Sequence, residues 1–118
     1  MKYKRQRYLL FYYILEKEKI EFNEKILINL IWRSISRYFG IKETSNTGLW
    51  IVELNPMEHW GILRFVHTSK ENVISSLGMI RFLKDSRFSI YPVKTSGTIK
   101  KIKKFLNEIQ NEKKLNSF

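Results

Sequence analysis

Arg7–Leu15 (RYLLFYYIL) is apolar or aromatic at nearly every position. Successive side chains leave a strand on opposite faces, so such a run needs cover on both sides. It is predicted as a central strand, packed against helices on one face and covered by another element on the other. Asn23 then stands as an N-cap before ILINLIWRSISRYF, with Phe22 and Leu27 placed for a hydrophobic staple and Gly40 as a left-handed stop. The spacing predicts a helix over 23–39. Gly48–Leu54 (GLWIVEL) and Trp60–His67 (WGILRFVH) read as two antiparallel strands joined by the hairpin-length loop Asn55-Pro56-Met57-Glu58-His59. Thr68 and Glu71 have capping-box spacing ahead of Val73, Ile74, Leu77 and Ile80, predicting a helix over 69–84 with Gly78 as a point of close packing. Phe88–Thr95 (FSIYPVKT) returns to a strand pattern, where Pro92 lacks a ladder donor and predicts an edge or a bulge.

The order strand, helix, strand, strand, helix, strand is that of an α+β, ferredoxin-like or RRM-like sandwich: a four-stranded antiparallel sheet with two helices on one face. One more helix follows. Ile99, Ile102, Phe105, Leu106 and Ile109 form a single stripe, and Lys100, Lys101, Lys103 and Lys104 are displaced from it. One side of this helix seeks a core and the other a polyanion. Residues 1–110 are read as one domain and residues 111–118 as a polar tail.

Charge sharpens the picture. The chain carries a net charge of +11, and ten of those units lie in two acid-free stretches, Met1–Leu15 and Ser86–Asn107. The rest is nearly neutral. A concentrated positive field suits a polyanion, with nucleic acid the first hypothesis and an anionic membrane surface the second. Seventeen aromatics within 118 residues can build a real core. The chain has no cysteine, hence neither disulfide nor thiolate metal site, and no apolar run approaches the ~20 residues of a membrane span. Leu9–Leu15 holds three aromatics and no small-residue cleavage site follows it, so a cytoplasmic location with no membrane partner is expected rather than a signal peptide.

Arg7-Tyr8-Leu9, Trp32-Arg33-Ser34, Phe39-Gly40, Gly61-Ile62-Leu63-Arg64 and Ser96-Gly97-Thr98-Ile99-Lys100 occur in an order and spacing that resemble the archaeal ribonuclease P protein component 2 family. Each piece alone is short; five in order cover most of the chain up to Ile109. The resemblance implies an RRM-like subunit of the ribonucleoprotein that removes 5′ leaders from precursor tRNA. In that family the RNA is the catalyst, and this type of subunit works with the TIM-barrel protein component 3. A second copy of the chain is another candidate partner. Where an RRM alternates aromatics on its third strand, Gly61 is followed here by Ile62, Leu63, Arg64 and Phe65, which breaks the stacking pattern. Recognition through phosphates and RNA shape is the better expectation.

The candidate RNA-binding residues are Lys2, Lys4, Arg5, Arg7, Arg33, Arg64, Lys94, Ser96, Gly97, Thr98, Lys100, Lys101, Lys103 and Lys104. Each has a plainer competitor. The helix lysines would also serve as a solvated face, and Ser96-Gly97-Thr98 would serve as an ordinary N-cap as well as a phosphate cradle. Arg33 and Arg37, one turn apart, suit a phosphate, a protein carboxylate or solvent. Arg64 inside an apolar strand needs a partner or an open sheet face. Tyr8, Phe11, Tyr12 and Tyr13, and Trp32, Trp50 and Trp60, are read first as packing groups.

A protein active site has little to build from. Asp85 is the sole aspartate, His59 and His67 are the only histidines, and Glu58-His59 lacks companion ligands at helical or strand spacing. No catalytic residue, protein-bound metal or protein-bound cofactor is expected, and Mg²⁺ is expected to belong to the catalytic RNA. The competing class is a ferredoxin-like interaction module whose basic ends bind acidic partners.

Overall fold

The computed structural model describes residues 5–17 and 19–116. Along the chain run β1 (Gln6–Leu15), α1 (Glu24–Phe39), α2 (Ile41–Asn46), β2 (Trp50–Asn55), β3 (Trp60–Val66), α3 (Lys70–Met79), β4 (Phe82–Leu83), β5 (Ser86–Ser96) and α4 (Ile99–Asn116). The strands form one antiparallel sheet in the order β2-β3-β1-β5-β4. It has five strands, not the expected four. β1 is central, as its two-sided apolar pattern requires.

Alternation along β1 divides the core in two. Leu9, Phe11 and Tyr13 face one side, where Leu27, Ile31 and Ile35 of α1 and Val73 and Leu77 of α3 close over them. Leu10 faces the other side and is buried with Trp60, Ile62, Ile102 and Leu106. The cover expected over that second face is therefore α4. It runs through Asn116, into the residues read as a polar tail.

Local chemistry places the helices. Asn23 Oδ1 accepts the Ile26 N–H at 2.9 Å, and at the far end of α1 the Gly40 N–H reaches the Ser36 carbonyl at 3.0 Å. Gly40 has φ 89° and ψ 167°, a conformation that favours glycine. The next helix starts differently from expectation: a 3₁₀ turn over His67–Ser69 precedes α3, Ser69 is its N-cap, and no side chain caps it. Thr68 and Glu71 thus form no capping box. A Cβ on Gly78 would meet nothing within 4 Å, so close packing does not explain that glycine.

The second helix was expected to reach Lys84 but ends at Met79. Ile80 is already extended, Phe82 and Leu83 pair with Arg87 and Ser86, and Lys84 takes φ 55° at the intervening turn. Lys17 secures this turn to the end of β1. Its backbone N–H donates to Ser86 Oγ at 2.9 Å and its ammonium bridges Asp85 at 3.0 Å. The hydrogen bond from Lys17 holds the Asp85 carboxyl below its ordinary range.

Two bulges adjust the register. In β5 the partners jump from Leu10↔Lys94 to Phe11↔Pro92, so the proline sits beside a bulge at Val93. In β2 they jump from Ile51↔Leu63 to Glu53↔Ile62. Were Val52 paired regularly with Ile62, the alternation would turn Glu53 towards the α1/α3 core; with Val52 bulged, Glu53 aligns with Ile62 on the α4 side.

Gly61 lies opposite Phe11, and a Cβ there would collide with the fully buried Phe11 ring. Gly61→Ala is expected to destabilise the fold by about 1–3 kcal/mol through overpacking, read as a lowered denaturation midpoint. An unchanged midpoint would mean that the ring relaxes freely.

Candidate nucleic-acid interface

The face on which an RRM-type sheet would offer bases a platform is occupied by α4. Ile102 and Leu106 are buried against the sheet, and the half-buried Tyr8, Tyr12 and Phe105 flank them. Burial, followed by the nearby charge of Glu58, raises the Tyr12 pKa and keeps its phenol neutral beyond the ordinary tyrosine range. The Lys113 ammonium lies 5.3 Å from the centre of that ring. Glu58 joins the hairpin loop to the helix, since its Oε2 accepts from Trp60 Nε1 at 3.0 Å and from Gln110 Nε2 at 2.7 Å.

The lysines of α4 project from the opposite side of this helix. Lys100, Lys101, Lys103 and Lys104 are all exposed, as the stripe predicts. They are not equivalent. Lys103 Nζ is 3.4 Å from Glu53 Oε1, the carboxylate that the β2 bulge turns to this side. Lys100, Lys101 and Lys104 form no ion pair among the described residues. Lys94 of β5 is exposed with its ammonium 5.4 Å from the Phe105 ring centre.

At the start of α4 the hydroxyls act as caps. Ser96 Oγ accepts from the Thr98 N–H and Thr98 Oγ1 from the Lys101 N–H, both at 3.3 Å. Ser96 is buried, while Gly97 and Thr98 are exposed. Arg7 lies alongside, with Nη1 3.9 Å from where a Gly97 Cβ would stand. A shallow cleft of about 260 Å³ is bordered by Arg5, Arg7, Tyr8 and Gly97. In the sheet row at this end Arg64, half-buried, lies between Tyr8 and Trp50, and Tyr8 in turn pairs with Ser96. Arg5, Arg7, Arg64 and the start of α4 thus converge at one end of the sheet.

The remaining candidates lie elsewhere. Lys2 and Lys4 fall outside the described residues. Arg33 is on α1, which packs on the other face of the sheet, so it does not join this group. Of the aromatics read as packing groups, Phe11, Tyr13 and Trp60 are buried, but Trp32 and Trp50 are 43% and 57% exposed. Arg81, which joins Arg33 and Arg37 around a second concavity, was not singled out from sequence, and Arg87, in an adjoining cleft, counted there only towards the basic stretch Ser86–Asn107. Among the described residues no three His, Asp or Glu side chains gather as a metal site, and no helix is long and apolar enough to cross a membrane.

The model of the Rpp14/Pop5 family matches residues 7–107. Ribonuclease P protein component 2 of Methanocaldococcus jannaschii is 33% identical over 103 residues, covering 86% of this chain and 73% of the relative. Its counterpart in Pyrococcus furiosus is 29% identical over 105 residues, covering 88% and 85%. That of Methanobrevibacter smithii is 29% identical over 99 residues, covering 78% and 82%. Among solved structures, a chain in the cryo-EM structure of yeast ribonuclease MRP superposes with a TM-score of 0.66 over 98% of this chain and 96% of its own length. At 10% identity this likeness concerns the fold.

Replacing Lys100, Lys101, Lys103 and Lys104 with glutamine leaves the buried side of α4 intact, and the half-exposed Lys103–Glu53 pair contributes at most about 1 kcal/mol. The fold should survive. Each lysine that contacts a phosphate contributes about 0.7–0.9 to the log–log salt slope of RNA binding, so the slope should fall by up to roughly 3. An unchanged slope on a folded variant would assign these lysines to solvent.

Proposed function

The chain belongs to the Rpp14/Pop5 family, and on that premise we propose that it is an RNA-binding protein subunit of ribonuclease P, the ribonucleoprotein that cleaves the 5′ leader from precursor tRNA. The observation that carries this reading is the two-sided role of α4: its apolar side closes the sheet while its outer side presents exposed lysines. A closed sheet disfavours base stacking on that face and favours a grip through phosphates. Lysines fixed along a helix lower the repulsion between closely spaced phosphates of a folded RNA. The subunit thereby stabilises the active form of the catalytic RNA.

In this reading the cleavage chemistry and its Mg²⁺ belong to the RNA, the protein supplies no reacting group, and the complex works in the cytoplasm. The sheet order β2-β3-β1-β5 with α1 and α3 on one face supports an RRM-like, ferredoxin-like sandwich to which β4 and α4 have been added. The TIM-barrel component 3 subunit is the proposed protein partner, with a second copy of this chain as the alternative. Exposed Trp32 and Trp50 supply the large apolar groups that protein interfaces favour.

Reconstitution with ribonuclease P RNA, with and without component 3, tests the proposal: cleavage should rise when this chain is added and weaken steeply with salt. Indifference to the chain, or equal affinity for any polyanion, would favour the interaction-module class. Glu58→Gln with His59→Asn separates structure from chemistry. Glutamine keeps an acceptor for Trp60 and Gln110, and asparagine tolerates the φ of 60° at position 59. Cleavage should stay within a few-fold of the parent. A loss of orders of magnitude with assembly intact would place catalytic groups in the protein.

A further inference from the structure

Away from α4, two adjoining clefts of about 650 and 600 Å³ share Ile80, Arg81 and Phe82. They meet along the link between α3 and β4 and together wrap the β4 edge of the sheet as one groove, bordered by α1 on one side and by Arg87, Ser89 and Tyr91 on the other, Tyr91 lying in the row of Tyr12. β4 pairs with Ser86 and Arg87 and the Arg81 carbonyl accepts the Phe88 N–H at 2.8 Å, so beyond Phe88 that edge of β5 has no strand partner among the described residues. Arg33 and Arg37, one turn apart on α1, line the first cleft with Arg81, and Arg87 lines the second. Four of the chain's seven arginines are thus collected here. No carboxylate lines either cleft, and none of the four arginines forms an ion pair among the described residues.

Aromatic rings stand between these charges. Tyr38, Phe82 and Tyr91 line the same groove at 49%, 58% and 50% exposure, well above what a packing role requires. Guanidinium groups grip phosphates in a bidentate fork, and exposed rings bind the faces of unpaired bases. Duplex RNA hides those faces, and an acidic peptide would satisfy the arginines but not the rings. Resting on the reading of the chain as an RNA-binding subunit, we propose that this groove holds a single-stranded segment of RNA, with arginines on its phosphates and rings on its bases. The protein then has two RNA surfaces: a lysine helix for folded RNA over one face of the sheet and this groove around its β4 edge.

Fluorescence anisotropy with labelled oligoadenylate and with ribonuclease P RNA tests this on the full chain. Three folded variants are compared: Arg33, Arg37, Arg81 and Arg87 to glutamine; Tyr38, Phe82 and Tyr91 to leucine; and the four α4 lysines to glutamine. The arginine variant should bind oligoadenylate much more weakly, with a salt slope smaller by up to about 3. The ring variant should bind it at least about fivefold more weakly at an unchanged slope. The lysine variant should keep oligoadenylate and weaken on ribonuclease P RNA. Oligoadenylate binding indifferent to the rings, or displacement by poly-L-glutamate at equal charge, would overturn the groove proposal. If the parent chain itself binds ribonuclease P RNA no better than poly-L-glutamate, the underlying RNA-binding reading fails instead.

Discussion

The requirement that β1 be buried on both faces organises the molecule. Leu9, Leu10 and Phe11 are consecutive, point alternately to opposite sides and are all fully buried, so neither face of the central strand is left to water. α1 and α3 satisfy one side, and α4 must satisfy the other. Ile102 and Leu106 of α4 each contribute about 1.5–3 kcal/mol through this burial. The last helix is therefore part of the core and not an appendage to a finished domain.

That closure determines how the protein can meet RNA. With the sheet face taken, positive charge is moved to the outside of α4, to its start beside Arg7, and to the groove around Arg33 and Arg81. The β2 bulge takes part in the same arrangement. It brings Glu53 to the α4 side, where its carboxylate meets Lys103 and leaves three neighbouring lysines without a described ion-pair partner. Contacts of this kind recognise the spacing of phosphates and the shape of the RNA more than its sequence.

The elements with strong periodicity were readable from the chain: the two-sided β1, the capped α1, the hairpin of β2 and β3, and the stripe of α4. The misses have physical causes. Leu77, Ile80 and Leu83 continue a helical three-residue spacing, which hides that Phe82 and Leu83 are drawn into a ladder with the start of β5. α2 has little apolar pattern to reveal it; Thr44 and Ser45 donate their hydroxyls to the carbonyls of Gly40 and Ile41 within its short span. Of the proposed contacts, the lysine side of α4 was legible because one helix carries it. The arginine groove was not, because its members come from α1, the α3–β4 link and β5 and meet only in the folded chain.

The place of β1 at the centre of the sheet has a consequence for biosynthesis. Its two neighbours, β3 and β5, lie in the middle and near the end of the sequence, and the helix that covers its second face comes later still. As the chain leaves the ribosome, its most apolar strand must wait for almost all the remaining residues before either its edges or its second face can be completed. Such distant pairings are slow to form and leave apolar strands open to association while they wait. A strand made before its neighbours is thus among the last of the sheet to be fully protected, and a chain stopped before α4 would expose Leu10 and Ile62 from the middle of the sheet.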